Sequence, residues 1–161
     1  MEKKDIIEKL TPLAQKAFEM PKLTLEGSMN ASNVEGWTSL TFMHLLESIE
    51  QEFGFKYVIS TLRESVSASH NGWKAMIYNG EEFYVSKHYD ILPIVDRVGG
   101  GDSFSGGIIH GLLTKQNQGE ALEFAVAASA LKHTIPGDFN LVSADEVESL
   151  AGGNANGRVQ R

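Results

Sequence analysis

Along the first third of the chain, apolar residues recur at helical spacing. Ile6, Ile7, Leu10, Leu13, Ala14, Ala17 and Phe18 form one stripe, and Pro21 follows it. This period predicts an amphipathic helix that Pro21 stops. Residues 22–36 are polar and turn-rich. A second stripe, Leu40, Phe42, Met43, Leu45, Leu46, Ile49 and Phe53, predicts a helix over 39–53. Gly54 is placed to end it, because glycine takes the left-handed position after a helix without steric cost. From residue 55 the texture changes. The run Y-V-I-S-T-L at 57–62 is β-branched and predicts a buried strand. Residues 73–78 and 83–86 read as two strands joined by N-G-E-E, with Asn79-Gly80 as a hairpin signal. Residues 91–95 read as one more short strand. Helices are predicted over 102–114 and 119–133, with Pro136-Gly137-Asp138 breaking the second. Ser143 and Glu146 have capping-box spacing and open a last short helix. The Gly- and Asn-rich tail 152–161 is expected to be loose.

Composition narrows the function classes. The 161 residues suit one ordinary domain or two very small ones. A net charge of −7 and no clustered Lys or Arg argue against a nucleic-acid surface. No cysteine is present, which excludes disulfides, thiolate zinc sites and cysteine nucleophiles and fits a cytoplasmic protein. No signal peptide is visible and no apolar run is long enough to span a membrane. The histidines show no metal-ligand spacing, so no protein-held metal site is expected.

Candidate chemistry concentrates at Gly99, Gly100, Gly101 and Asp102, between an apolar strand and an apolar helix. Three successive glycines let a ligand approach the backbone closely. The following helix aims free N–H groups and its positive dipole end at the same place, which makes an anion hole. Asp102 can be read either as the helix N-cap or as a reactive carboxylate. The sequence D-R-V-G-G-G-D-S-F at 96–104 resembles the D-x-x-G-x-G-D-x-F signature of ribokinase-type (pfkB-like) carbohydrate kinases. Residues 55–161 as a whole resemble the C-terminal part of the 2-keto-3-deoxygluconate kinases: the run Y-V-I-S-T-L-R-E-S-V-S-A-S, the stretch A-V-A-A-S-A-L-K-H-T-I-P-G-D-F and the ending G-R-V-Q-R all suit that group. The resemblance implies ATP, with Mg2+, as phosphoryl donor and a small sugar acid as acceptor. Asp102 would take the proton from the attacking hydroxyl, and the three glycines would hold the transferring phosphoryl group. Thr61, Leu62, Arg63, Glu64 and Ser65, following their strand, would line the nucleotide site, with Ala128 near the adenine. Residues 79–82, N-G-E-E, match the family's N-x-x-E metal motif by letters but read as a turn.

Residues 1–54 resemble another family, the acyl and peptidyl carrier proteins, in their first helix, long loop and second helix. That resemblance implies 4′-phosphopantetheine on Ser39, with Glu47, Glu50 and Glu52 meeting basic partners. Thr38 stands where carriers have aspartate, and Ser39 can also be read as a plain N-cap. The expected architecture is α/β: a partial ribokinase-like sheet with C-terminal helices, preceded by a short all-helical carrier-like segment, the two meeting near residue 54. The family's sugar-binding half has no counterpart in residues 1–54. The readings are therefore a kinase fragment, a carrier modified at Ser39, or a chimera with neither activity. A sheet cut from a larger one leaves an exposed edge, which predicts either homo-oligomerisation or marginal stability.

Overall fold

The computed structural model describes residues 2–153; residues 154–161, with most of the Gly/Asn-rich tail and the G-R-V-Q-R ending, lie outside the described residues. The chain divides into two compact units, Met1–Val58 with Tyr78–Glu82, and Ile59–Ile77 with Phe83–Arg161.

The first unit is built on α1 (Lys3–Ala17) and α2 (Ser39–Phe53). The apolar stripes of both helices supply its core: Ala14, Phe18, Leu23 and Val34 are buried, with Trp37 and Leu45 packed against them. Trp37 stacks on Phe18 at 5.1 Å and on Phe42 at 5.3 Å between ring centroids. α1 ends at Ala17, ahead of Pro21, because the chain turns left-handed at Glu19 (φ 56°). Thr38, not Ser39, caps α2: its hydroxyl accepts from the Thr41 N–H, and Thr41 Oγ1 accepts from the Thr38 N–H. Gly54 ends α2 in the left-handed region (φ 63°), as the sequence predicts. Asn79 Oδ1 accepts from the N–H groups of Glu81 and Glu82, so the N-G-E-E segment is a turn closed by its own asparagine.

The second unit carries a four-stranded sheet of β1 (Val58–Ser67), β2 (His70–Tyr78), β3 (Phe83–Val85) and β4 (Tyr89–Ile91). The order is β1-β2-β3, and β4 pairs antiparallel with β2 so that Gly72 faces Asp90 and Trp73 faces Tyr89. β2 is the buried strand, holding Asn71, Trp73, Ala75, Met76 and Ile77. β1 overturns the expectation of a buried strand: it runs at the edge, extends to Ser67, and is mostly exposed along its second half. Its β-branched start reflects strand preference, not burial. β4 also differs, lying at 89–91 where 91–95 was expected. Pro93 has no N–H for a ladder, and Leu92 and Val95 stay exposed.

Three helices complete the unit: α3 (Gly100–Thr114), α4 (Gln118–Lys132) and α5 (Ala144–Ala151). α4 is buried along most of its length, so its apolar residues do not form a single stripe. Small residues set its closeness to α3. A Cβ on Gly107 would lie 2.9 Å from Ala125 Cα, and one on Gly111 would lie 2.7 Å from Ala121 Cα. α5 opens with the predicted Ser143–Glu146 capping box and buries Val147 against Phe124, Ala127, Ala128 and Leu131.

Candidate functional site

The glycine run does three different jobs. Gly99 is the cap residue of α3, left-handed at φ 78° and ψ −4°, and its backbone abuts the Asp138 carbonyl so closely that a Cβ would overlap it. Gly100 is the first helical residue and is buried; Gly101 is the second and faces open space. α3 thus starts two residues before the predicted 102, and Asp102 sits in its first turn. This removes the N-cap reading of Asp102, because the cap is a glycine with no side chain. The first N–H groups of a helix have no intrahelical acceptor, and here they open at the positive end of the helix dipole.

The residues before the run fix it in place. Asp96 Oδ1 accepts from the Val98 N–H (3.0 Å) and Oδ2 from the Gly137 N–H (2.9 Å). These bonds, that to Val98 foremost, hold the Asp96 carboxyl below the ordinary carboxylate range. Arg97 Nη2 donates to the carbonyls of Ser67 (2.8 Å) and Ala68 (2.9 Å) at the β1–β2 turn. From beneath, Ser129 Oγ donates to the Gly100 carbonyl at 2.8 Å.

A cleft of about 540 Å³ opens beside the start of α3. Gly99, Asp102 and Ser103 form its polar end, while Ala128, Phe139 and Val142 belong to its apolar lining. Volumes of this order hold a nucleotide-sized ligand. Asn140 latches the wall: its Nδ2 donates to Ser103 Oγ (2.6 Å) and to the Ala128 carbonyl (3.2 Å). Among the described residues no three His, Asp or Glu side chains are grouped to hold a metal ion. Magnesium in phosphoryl-transfer sites is carried largely by substrate phosphates and one or two carboxylates, a donor set to which Asp102 belongs.

The structure brings Gly99, Asp102 and Ala128 to one cleft. Thr61, Leu62, Arg63, Glu64 and Ser65 lie within β1, not after it, and none lines the cleft. Ala121 and Ala125 of α4 meet α3, and Ala128 both packs near Gly107 of α3 and lines the cleft. Ser39 lies exposed at the start of α2 in the first unit. Sequence reasoning missed Asn140 and Ser129. Pro136-Gly137-Asp138 reads in the sequence as a helix breaker, and Asn140 just after it carries no signal of its own; its hydrogen bonds to Ser103 and Ala128 show its use.

The family model described as pfkB family carbohydrate kinase matches residues 54–144. The chain belongs to the pfkB carbohydrate kinase family. The chain is 31% identical over 112 residues to a 2-dehydro-3-deoxygalactonokinase of Haloferax volcanii, covering 69% of this chain and 32% of that protein. The crystal structure of a 2-dehydro-3-deoxygluconokinase from Thermotoga maritima superposes with a TM-score of 0.70 at 46% identity, covering 74% of this chain and 36% of that one. A pfkB family carbohydrate kinase from Listeria grayi superposes at 0.64 with 31% identity, covering 79% and 40%. The chain therefore spans about a third of the length of these pfkB relatives. Their likeness also makes the α/β architecture a partial ribokinase-like fold. Among the described residues no helix is long and apolar enough to cross a membrane.

Proposed function

We propose that the second unit is the phosphoryl-transfer half of an ATP-dependent sugar-acid kinase of the 2-keto-3-deoxygluconate type. The observation that carries this reading is the convergence of Asp102, Gly99 and the opening turn of α3 on one cleft. The amides of that turn bind the β- and γ-phosphates of ATP, and the apolar wall with Ala128 takes the base. In the transfer, the acceptor hydroxyl oxygen bonds to the γ-phosphorus as the bond to the bridging β–γ oxygen breaks. The hydroxyl proton passes to the Asp102 carboxylate and ADP leaves. Charge stabilisation by fixed amides supplies most of the rate in such a step. Magnesium, when bound with ATP, neutralises the phosphate charge.

Calorimetric titration with ATP tests the reading. Gly101 is the position for the perturbing variant, since no protein atom lies within 4 Å of where its Cβ would stand. Gly101→Val should weaken ATP without disturbing the fold. Asp102→Asn should keep ATP and abolish phosphorylation of 2-keto-3-deoxygluconate, assayed with the sugar-binding part of a relative supplied in trans. Absence of any ATP binding by the unaltered chain overturns the proposal.

A second reading belongs to the first unit. Thr38 takes the N-cap role, which leaves the Ser39 hydroxyl exposed at the head of α2. Ser39 is therefore proposed as a phosphopantetheine acceptor of carrier type. Incubation with a phosphopantetheinyl transferase and coenzyme A should add the corresponding mass, lost in Ser39→Ala. An unchanged mass rejects it.

A further inference from the structure

His133 ends α4 beneath the glycine run, is almost fully buried, and takes no part in the transfer step described above. Its contacts converge on that run from four directions. The ring lies directly under Gly100: a Cβ there would come within 2.7 Å of His133 Cε1. Nδ1 is 2.7 Å from the Ser129 carbonyl. A carbonyl oxygen can only accept, so Nδ1 carries the hydrogen and the neutral ring leaves Nε2 without one. Ser129, so held, donates its hydroxyl to the Gly100 carbonyl. The His133 carbonyl accepts from the N–H groups of Val95 (2.8 Å) and Asp96 (3.3 Å), fixing the approach to the run. Behind the ring, Trp73 packs at 5.4 Å between centroids.

We propose that His133 is the positioning residue of the glycine run, setting the direction of the amides at 101 and 102 through its ring under Gly100 and its Nδ1–H bond to Ser129. It touches no ligand; it decides where the amide donors point. Burial keeps the imidazole neutral by lowering its pKa; the Ser129 bond opposes this, and the charges of Lys132, Arg97 and Arg63 reinforce it. The neutral tautomer is the one the geometry needs. A cation at this place would be buried beside those three positive side chains.

The nucleotide part of the inference rests on the ATP reading, so the test has one arm that needs nucleotide and one that does not. His133→Ala removes ring and donor, while His133→Asn keeps an N–H donor near the place of Nδ1. Without nucleotide, amide hydrogen exchange is followed at Gly100 and Ser103, whose N–H groups bond to the Arg97 and Gly99 carbonyls. His133→Ala should speed exchange there about tenfold, the scale of one lost buried hydrogen bond, and leave the middle of α3 unchanged. With nucleotide, ATP affinity should fall about tenfold while adenosine affinity stays within about twofold, since only phosphate contacts depend on the amides. His133→Asn should recover most of both effects. Unchanged exchange at these amides overturns the inference, as does equal loss of ATP and adenosine or equal behaviour of the two variants. If the unaltered chain binds neither ligand, the ATP reading fails by itself and the exchange arm decides the role of His133. If His133→Ala does not fold, the exchange and affinity ratio of His133→Asn against the unaltered chain carry the decision: values within about twofold support the inference, and a tenfold departure refutes it.

Discussion

Three glycines on α3 allow packing to be separated from helix propensity. Gly106, Gly107 and Gly111 all lie inside the helix, so replacing each with alanine brings a similar propensity gain of about 1 kcal/mol. Their surroundings differ. A Cβ at Gly106 meets nothing within 4 Å; at Gly107 it comes within 2.9 Å of Ala125 Cα and 3.3 Å of Ala128 Cβ. At Gly111 it meets three atoms of Ala121, the Cα at 2.7 Å and the Cβ and carbonyl oxygen at 2.9 Å. The clashing atoms are main chain or alanine, which cannot swing aside, so α3 and α4 must part by several tenths of an ångström. Overpacking of this kind costs about 1–3 kcal/mol. Gly106→Ala should therefore stabilise the second unit by about 1 kcal/mol, Gly107→Ala should come out near neutral, and Gly111→Ala should lose about 1–2 kcal/mol. The Gly106–Gly111 difference, from which propensity cancels, is then about 2–3 kcal/mol. The assay is urea unfolding followed by Trp73 fluorescence in a Trp37→Phe background; the sequence holds two tryptophans, and Trp73 belongs to the second unit. Equal stability of Gly106→Ala and Gly111→Ala within about 0.5 kcal/mol, well under the expected gap, would refute the close helix contact.

Other outcomes follow from single contacts. The Asp96 carboxyl titrates below its unfolded value, so the unfolded chain binds more protons as pH falls through the carboxylate range. Stability supplied by Asp96 is thus complete above pH ~4 and fades on acidification, and Asp96→Asn should flatten this acid limb in thermal melts between about pH 2.5 and 5. His133 has the same sign at higher pH: its folded pKa is lowered, so its contribution is full above about pH 6.5 and declines below it, and His133→Asn should remove that slope. Asn140→Ala, which leaves Ser103 Oγ and the Ala128 carbonyl without their shared donor, should cost about 1–2 kcal/mol in urea unfolding. Arg97→Lys should cost under about 1 kcal/mol, since Arg97 is exposed and an ammonium reaches at most part of the carbonyl pair at Ser67 and Ala68.

Helices were the most legible part of the fold because their signals are local. Gly54 ended α2 where expected, and Ser143 with Glu146 opened α5. The strands were harder. Nothing in Y-V-I-S-T-L distinguishes a buried centre from an exposed edge, since β-branched residues suit both. Burial depends on which strand lies alongside, and the chain places β2, not β1, in the middle. At the candidate site, the glycine run was visible in the sequence because backbone freedom is written as glycine. Its supports were not: Ser129, His133, Gly137 and Asn140 act on residues about 30 or more positions away, and distance in sequence conceals them. The start of α3 was misplaced for a related reason. A helix capped by glycine carries no side-chain signal, and Asp102 is the first polar residue that could mark its start.

The Asp96 carboxylate also has a kinetic meaning. One oxygen holds Val98 beside it and the other holds Gly137, 41 positions along the chain, so the two arms of the α3–α4 pair are tied together at their open ends. The helical pair forms from near neighbours and can assemble early, whereas this tie closes only after both helices are in register. Replacing Asp96 should consequently leave the folding arm of the chevron almost unmoved and raise the unfolding arm. The residue that anchors the glycine run would then govern how long the cleft persists once made, and not how fast it is made.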